Sequence, residues 1–207
     1  MTTTDTSRSP AETTSPAPVS IADPGPLGLA AFALTTFILS TVNAGILKGG
    51  VESIVFSSAL FYGGAVQVLA GMWEYRKGNT FGATAFSSYG AFWLAFWGIG
   101  HFFTPTKDVT ATDINQAVGV FLLAWTIFTV YMLIASAGTN NVILGVFALL
   151  AITFLLLTVG KFADSTSITK LGGWLGIVTA LGAWYGSFAA VTNETWKRKV
   201  IPVGPRS

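Results

Sequence analysis

Charged residues are so widely spaced along this chain that the gaps between them divide it into segments. Uncharged stretches run over Leu27–Leu47, Ser53–Trp73, Gly78–Thr106, Ile114–Gly160 and Leu171–Asn193. A helix crossing a bilayer needs ~20 apolar residues, which suits one span in each stretch except Ile114–Gly160. That stretch has 47 residues, enough for two spans, and Gly138-Thr139-Asn140-Asn141 supplies a turn near its middle. In hydrocarbon the backbone must satisfy its own hydrogen bonds, and a helix does so within one segment. The pattern predicts an all-α integral membrane protein with six transmembrane helices, at about 26–47, 53–73, 81–103, 114–136, 141–160 and 171–193. Residues 1–22, rich in Thr, Ser, Pro and Ala without an apolar core, read as a disordered tail. Residues 23–196 form the transmembrane domain, and 197–207 a basic C-terminal tail.

Composition sharpens this picture by exclusion. Of 207 residues, 52% are hydrophobic and 10% charged, against about 25% charged in soluble domains. Six spans use nearly all of the length, which leaves no room for a soluble catalytic domain. With no cysteine in the chain, disulfides, thiolate metal sites and cysteine nucleophiles are excluded. No metal-ligand cluster, phosphate-cradling Gly loop or GxSxG is present, so neither an enzyme nor a metal or cofactor is expected. The formal charge of +2 gathers at Lys197, Arg198, Lys199 and Arg206. That fits a cytoplasmic membrane flank rather than a nucleic-acid face.

An even number of spans places both termini on one side. That side holds seven basic residues (Arg8, Arg76, Lys77, Lys197, Arg198, Lys199, Arg206), and the other four (Lys48, Lys107, Lys161, Lys170). Basic residues concentrate in the cytoplasm, so the termini are predicted cytoplasmic in a plasma or inner membrane. Trp73, Tyr75, Trp174 and Trp196 sit near span ends, where amphipathic rings favour the interface.

Candidate functional residues lie on helix faces. In the first span Phe32, Thr36, Ser40 and Asn43 recur at helical spacing and share a face. Gln67 belongs to a line with Gly63, Gly71 and Glu74, and Thr84, Ser88, Ala91 and Ala95 form another, with Tyr89 about 100° around from Ser88. Polar groups of this kind either bond a neighbouring helix or line a path. Asp23-Pro24-Gly25-Pro26 carries helix-start chemistry, with Asp23 as N-cap and first-turn N–H groups free to attract an anion. Gly172, Gly176, Thr179, Ala183, Gly186 and Ala190 make a small-residue stripe suited to close helix packing. No Lys, Arg or Asp falls in mid-span, and Glu74 stands at a span end.

Three segments carry a family resemblance. Asp23-Pro24-Gly25-Pro26-Leu27-Gly28-Leu29 resembles the N-P-[AG]-P-L-G-L signature of the acetate uptake transporter family, with Asp in place of the usual Asn. Phe61–Glu74 and Arg76–Leu94 resemble its second-span and most distinctive segments. The resemblance implies a homo-hexamer with a pore through each six-helix protomer, passing acetate and related small carboxylates such as succinate. It further implies a narrow hydrophobic girdle of Phe32, Tyr89 and Leu150. Thr36, Ser40, Asn43, Gln67, Thr84 and Ser88 are then the expected polar lining. Passage as an anion, as the neutral acid or together with a proton stays open. So does a rival solute, ammonia or ammonium.

Overall fold

The computed structural model describes residues 21–48 and 50–206. The tail expected over 1–22 lies almost wholly outside the described residues. Six helical rods cross in alternating directions: α1 (Gly25–Asn43), α2 (Glu52–Lys77), α3 (Thr80–Phe102), α4 (Ala111–Ser136), α5 (Asn141–Phe162) and α6 (Thr166–Thr195). Five of them are long and apolar enough to cross a membrane. The sixth, α3, has the length at 23 residues, but its Gly, Ser, Tyr and His content dilutes its hydropathy. Much of α3 faces protein rather than lipid, with Ala85, Phe86, Tyr89, Phe92 and Trp93 all buried.

Helix ends follow side-chain chemistry more closely than charge gaps. The α2 helix takes in Glu52, Arg76 and Lys77, and α6 takes in Lys170 and Glu194, because backbone hydrogen bonding continues into the interfacial layer. Asn79, Thr110, Asn140 and Ser165 cap α3 to α6 by accepting first-turn N–H groups. The expected cap at Asp23 is displaced by one residue. Pro24 already has helical dihedrals, so it occupies the cap position without a side-chain bond. Asp23 instead folds over it, accepting the Gly25 N–H at 2.9 Å and pairing with Lys77 Nζ at 2.8 Å. The N–H that could have met an external anion is thus held by the protein's own carboxylate.

The small-residue stripe of α6 lies inside the protomer, wedged between α1 and α5. A Cβ on Gly176 would collide with the Ser40 hydroxyl of α1, and one on Gly173 with the Asn43–Ala44 backbone. On the facing side, a Cβ at Gly172 would meet Leu157 of α5 at 2.9 Å. On α1, a Cβ at Gly28 would lie 2.6 Å from the Phe86 ring of α3. Small residues therefore bring three helices to near-backbone distance, where dispersion accumulates. In mid-membrane α2 widens into a π turn over Phe61–Val66, which ends as Gln67 begins. Such turns locally redirect a helix and recur at functional sites.

With both ends of the described chain, residues 21 and 206, on one face of the bundle, the Phe103–Thr110 connection lies on the other. A single cysteine at position 107, in a chain that has none of its own, is expected to react with an impermeant maleimide in intact cells. A cysteine at position 198 is expected to react only after permeabilisation. The reverse pattern would overturn the orientation.

Candidate functional site: a cavity divided by three apolar side chains

A cavity of about 310 Å³ opens on the side of the chain termini. Its mouth is formed by Asp23, Lys77 and Asn79 at the ends of α1 to α3, and by Asn140 before α5 and Val203 of the C-terminal tail. The tail stays there because Asn193 accepts the N–H groups of Val200 and Ile201, and Gly204 accepts that of Asn141. Deeper, the walls become apolar: Leu29, Ala85, Val146 and Phe147. Beyond lies a second cavity of about 40 Å³, walled by Thr36, Ser40, Phe92, Trp93, Thr153 and Phe154 among others. Among the described residues, only Phe32, Tyr89 and Leu150 line both cavities. All three are buried, and the Phe32 and Tyr89 rings sit 5.8 Å apart between centroids.

The hydrogen bonding of Tyr89 defines its character. Its hydroxyl lies 2.9 Å from Thr129 Oγ1, and Thr129 spends its single proton on the Trp125 carbonyl at 2.7 Å. Tyr89 must therefore donate to Thr129, which leaves it no proton to offer a solute. Its ring is further boxed by Phe128 and Phe147 at 5.2 and 6.1 Å. Toward the path it presents an apolar ring held in place.

Polar groups without protein partners flank this partition. Gln67, only 1% exposed, lines the larger cavity, and its amide oxygen is unpaired. In the smaller cavity the Thr36 hydroxyl and the Trp93 indole N–H are both buried and unpaired. An unsatisfied buried polar group costs ~1–3 kcal/mol, so the Thr36 hydroxyl and the Trp93 N–H favour a ligand that accepts from them, and the Gln67 oxygen favours one that donates.

The sequence-predicted residues divide accordingly. Phe32, Leu150 and Tyr89 meet at the partition, Thr36 and Ser40 reach the smaller cavity, and Gln67 reaches the larger one. Asn43, Thr84 and Ser88, expected in the lining, stand outside both cavities. The Thr84–Ser88 line continues through Ala91 and Ala95, both exposed, so that face of α3 turns outward. The inward face is the one about 100° around, carrying Ala85, Tyr89, Phe92 and Trp93. Asn43 falls at the close α1–α6 crossing beside Gly173. Trp93 and Glu74 escaped the sequence reading as lining residues. Trp93 lies one turn beyond Tyr89, a spacing that could have pointed to it.

Six membrane helices around a path narrowed by apolar rings and flanked by unpaired polar groups define a multi-pass membrane protein. The chain belongs to the GPR1/FUN34/yaaH family, whose model matches residues 6–205. Two Saccharomyces cerevisiae relatives, Accumulation of dyads protein 2 and Ammonia transport outward protein 2, are 45% and 40% identical over 86% of the chain. The chain spans 65% of the length of each. The Escherichia coli succinate-acetate/proton symporter SatP is 38% identical over 89% of the chain and 96% of its own length. The solved structure of the bacterial acetate channel SatP superposes with a TM-score of 0.82 at 38% identity, over 89% of this chain and all of that one.

Proposed function

We propose that the protein is a membrane permease or channel for acetate and related small carboxylates such as succinate, operating as a homo-hexamer with one path per protomer. The observation that carries this reading is the pair of cavities that share Phe32, Tyr89 and Leu150 as walls, with unpaired donors on Thr36 and Trp93 on one side and the unpaired Gln67 amide oxygen on the other. Neutral hydroxyl, indole and amide groups bind a carboxylate weakly enough to release it, as permeation requires. Apolar rings resist wetting and limit size without fixed charge. Relatives named as acetate or succinate carriers and channels support the same solute class. Outward-facing apolar residues on α4 and α6, such as Val120, Ile127, Leu181 and Phe188, supply a surface for lipid or neighbouring protomers.

A second solute has one specific point in its favour: a relative is named for ammonia transport. Uptake of labelled acetate and labelled methylammonium into proteoliposomes, each against protein-free vesicles, separates the two. Acetate flux inhibited by succinate is the expected result. Methylammonium flux without acetate flux would replace the proposal with its rival.

The donors make a finer prediction. A hydrogen bond to a charged ligand contributes ~1.5–3 kcal/mol, so Trp93→Phe and Thr36→Val should each weaken apparent acetate affinity by roughly ten- to a hundredfold. Side-by-side measurement of affinity and melting temperature checks it. A lower Tm with unchanged affinity would return these residues to helix packing.

A further inference from the structure

Glu74 is 1% exposed, yet it lines the larger cavity. Its Oε2 accepts the Asn79 side-chain N–H at 2.9 Å, and among the described residues nothing donates to its Oε1. The nearby ammonium, that of Lys77, is committed to Asp23 at 2.8 Å. Two glycines leave the space it fills: a Cβ on Gly82 would lie 2.9 Å from its carboxyl carbon, and one on Gly25 3.3 Å from Oε1. Asp23 Oδ1 lies 3.1 Å from the same point at Gly25, so the two carboxylates face each other across the start of α1. Among the described residues, the titratable side chains lining this cavity besides Glu74 are Asp23 before α1, Lys77 on α2 and Tyr89 on α3. The lining from α5, α6 and the C-terminal tail is uncharged.

An anionic solute entering here meets a carboxylate with no cation of its own and then an apolar partition. Both steps oppose an anion, the first by like charge and the second by desolvation. A single proton removes both obstacles. We infer that Glu74 is the proton-exchange group of the path: its carboxyl, charged with a proton from water at the terminal side, gives that proton to the solute carboxylate in the cavity. The solute crosses the Phe32–Tyr89–Leu150 partition as the neutral acid and loses the proton beyond it. Glu74 regains one from water, so one proton moves with each carboxylate, and the cycle runs equally in reverse. The inference rests on the carboxylate reading above and adds its coupling group.

Initial rates of labelled acetate uptake into proteoliposomes, above those of protein-free vesicles, test it with and without an imposed proton gradient. For the wild type, one pH unit of inward gradient should raise the rate by up to about tenfold, the limit for one coupled proton. Glu74→Gln keeps the shape and the Asn79 contact but cannot titrate, so its rate should not respond to the gradient, whereas Glu74→Asp should recover part of the response. A gradient response kept by Glu74→Gln, or missing from the wild type, overturns the assignment while leaving acetate passage intact. Absence of acetate flux in the wild type refutes the carboxylate reading instead. If Glu74→Gln does not assemble, dicyclohexylcarbodiimide, which attacks protonated carboxyls in apolar surroundings, is applied to the wild type and located by mass spectrometry. Glu74 modification should be several-fold greater at pH 6 than at pH 8 and suppressed by acetate. Modification that is absent, or indifferent to both, overturns the assignment.

Discussion

Truncating the partition is expected to change which carboxylate passes rather than whether any does. Phe32→Ala and Tyr89→Ala each remove a ring from the boundary between the two cavities, while the unpaired groups at Thr36, Trp93 and Gln67 remain. Acetate flux per folded protomer should persist or rise, and succinate flux should gain on it. An apolar pocket discriminates by ~1–3 kcal/mol for a methylene-sized difference, so the succinate-to-acetate ratio should shift by roughly tenfold or more. Tyr89→Phe supplies the control. Because the Tyr89 hydroxyl donates to Thr129 and not into the path, its loss should cost ~0.5–1.5 kcal/mol of stability and leave the ratio where it was. Core packing alone predicts a different outcome. Removing a buried ring then costs ~3–5 kcal/mol, the yield of folded protein drops, and the ratio does not move. Parallel fluxes of the two acids, normalised to folded protein, decide between these outcomes.

The second large effect is expected at the α1–α6 crossing. Gly176→Leu would place a four-carbon side chain where even a Cβ meets the Ser40 hydroxyl, with Thr153 on the other flank at 3.4 Å. Neither neighbour can withdraw, since Ser40 is part of α1 and Thr153 part of α5. Three helices must separate, and close packing is what holds membrane helices together. The variant should therefore lose the native species in mild detergent size-exclusion chromatography and transport nothing. Gly186, ten residues on, gives a useful contrast. A Cβ there would stand 3.3 Å from the ends of Leu29 and Val142, in the wall of the larger cavity. Gly186→Ala should assemble normally and act on flux, by narrowing the cavity. A native elution profile for Gly176→Leu would show that the crossing is looser than these contacts imply.

The membrane class and the helix count were both legible in the chain before any packing was known. An uncharged run of ~20 residues has one stable form in hydrocarbon, so spacing between charges translates directly into helices. Phe32, Thr36 and Ser40 share a face by periodicity alone, and all three do reach the cavities. What periodicity leaves open is rotation. A helix polar on one side and aromatic 100° away can turn either face inward, and for α3 the aromatic one prevails. The reason is tertiary: Tyr89 has a buried partner in Thr129 of α4 and Phe92 stacks on Phe121 at 5.7 Å, contacts made across helices and invisible in a linear pattern. Glu74 makes the same point from the opposite direction. As a charge at the end of a span it reads as interfacial and solvated, and only the converging backbones at Gly25 and Gly82 enclose it. Its burial depends on how close three helix ends come together, and that distance is set by packing rather than by any one helix.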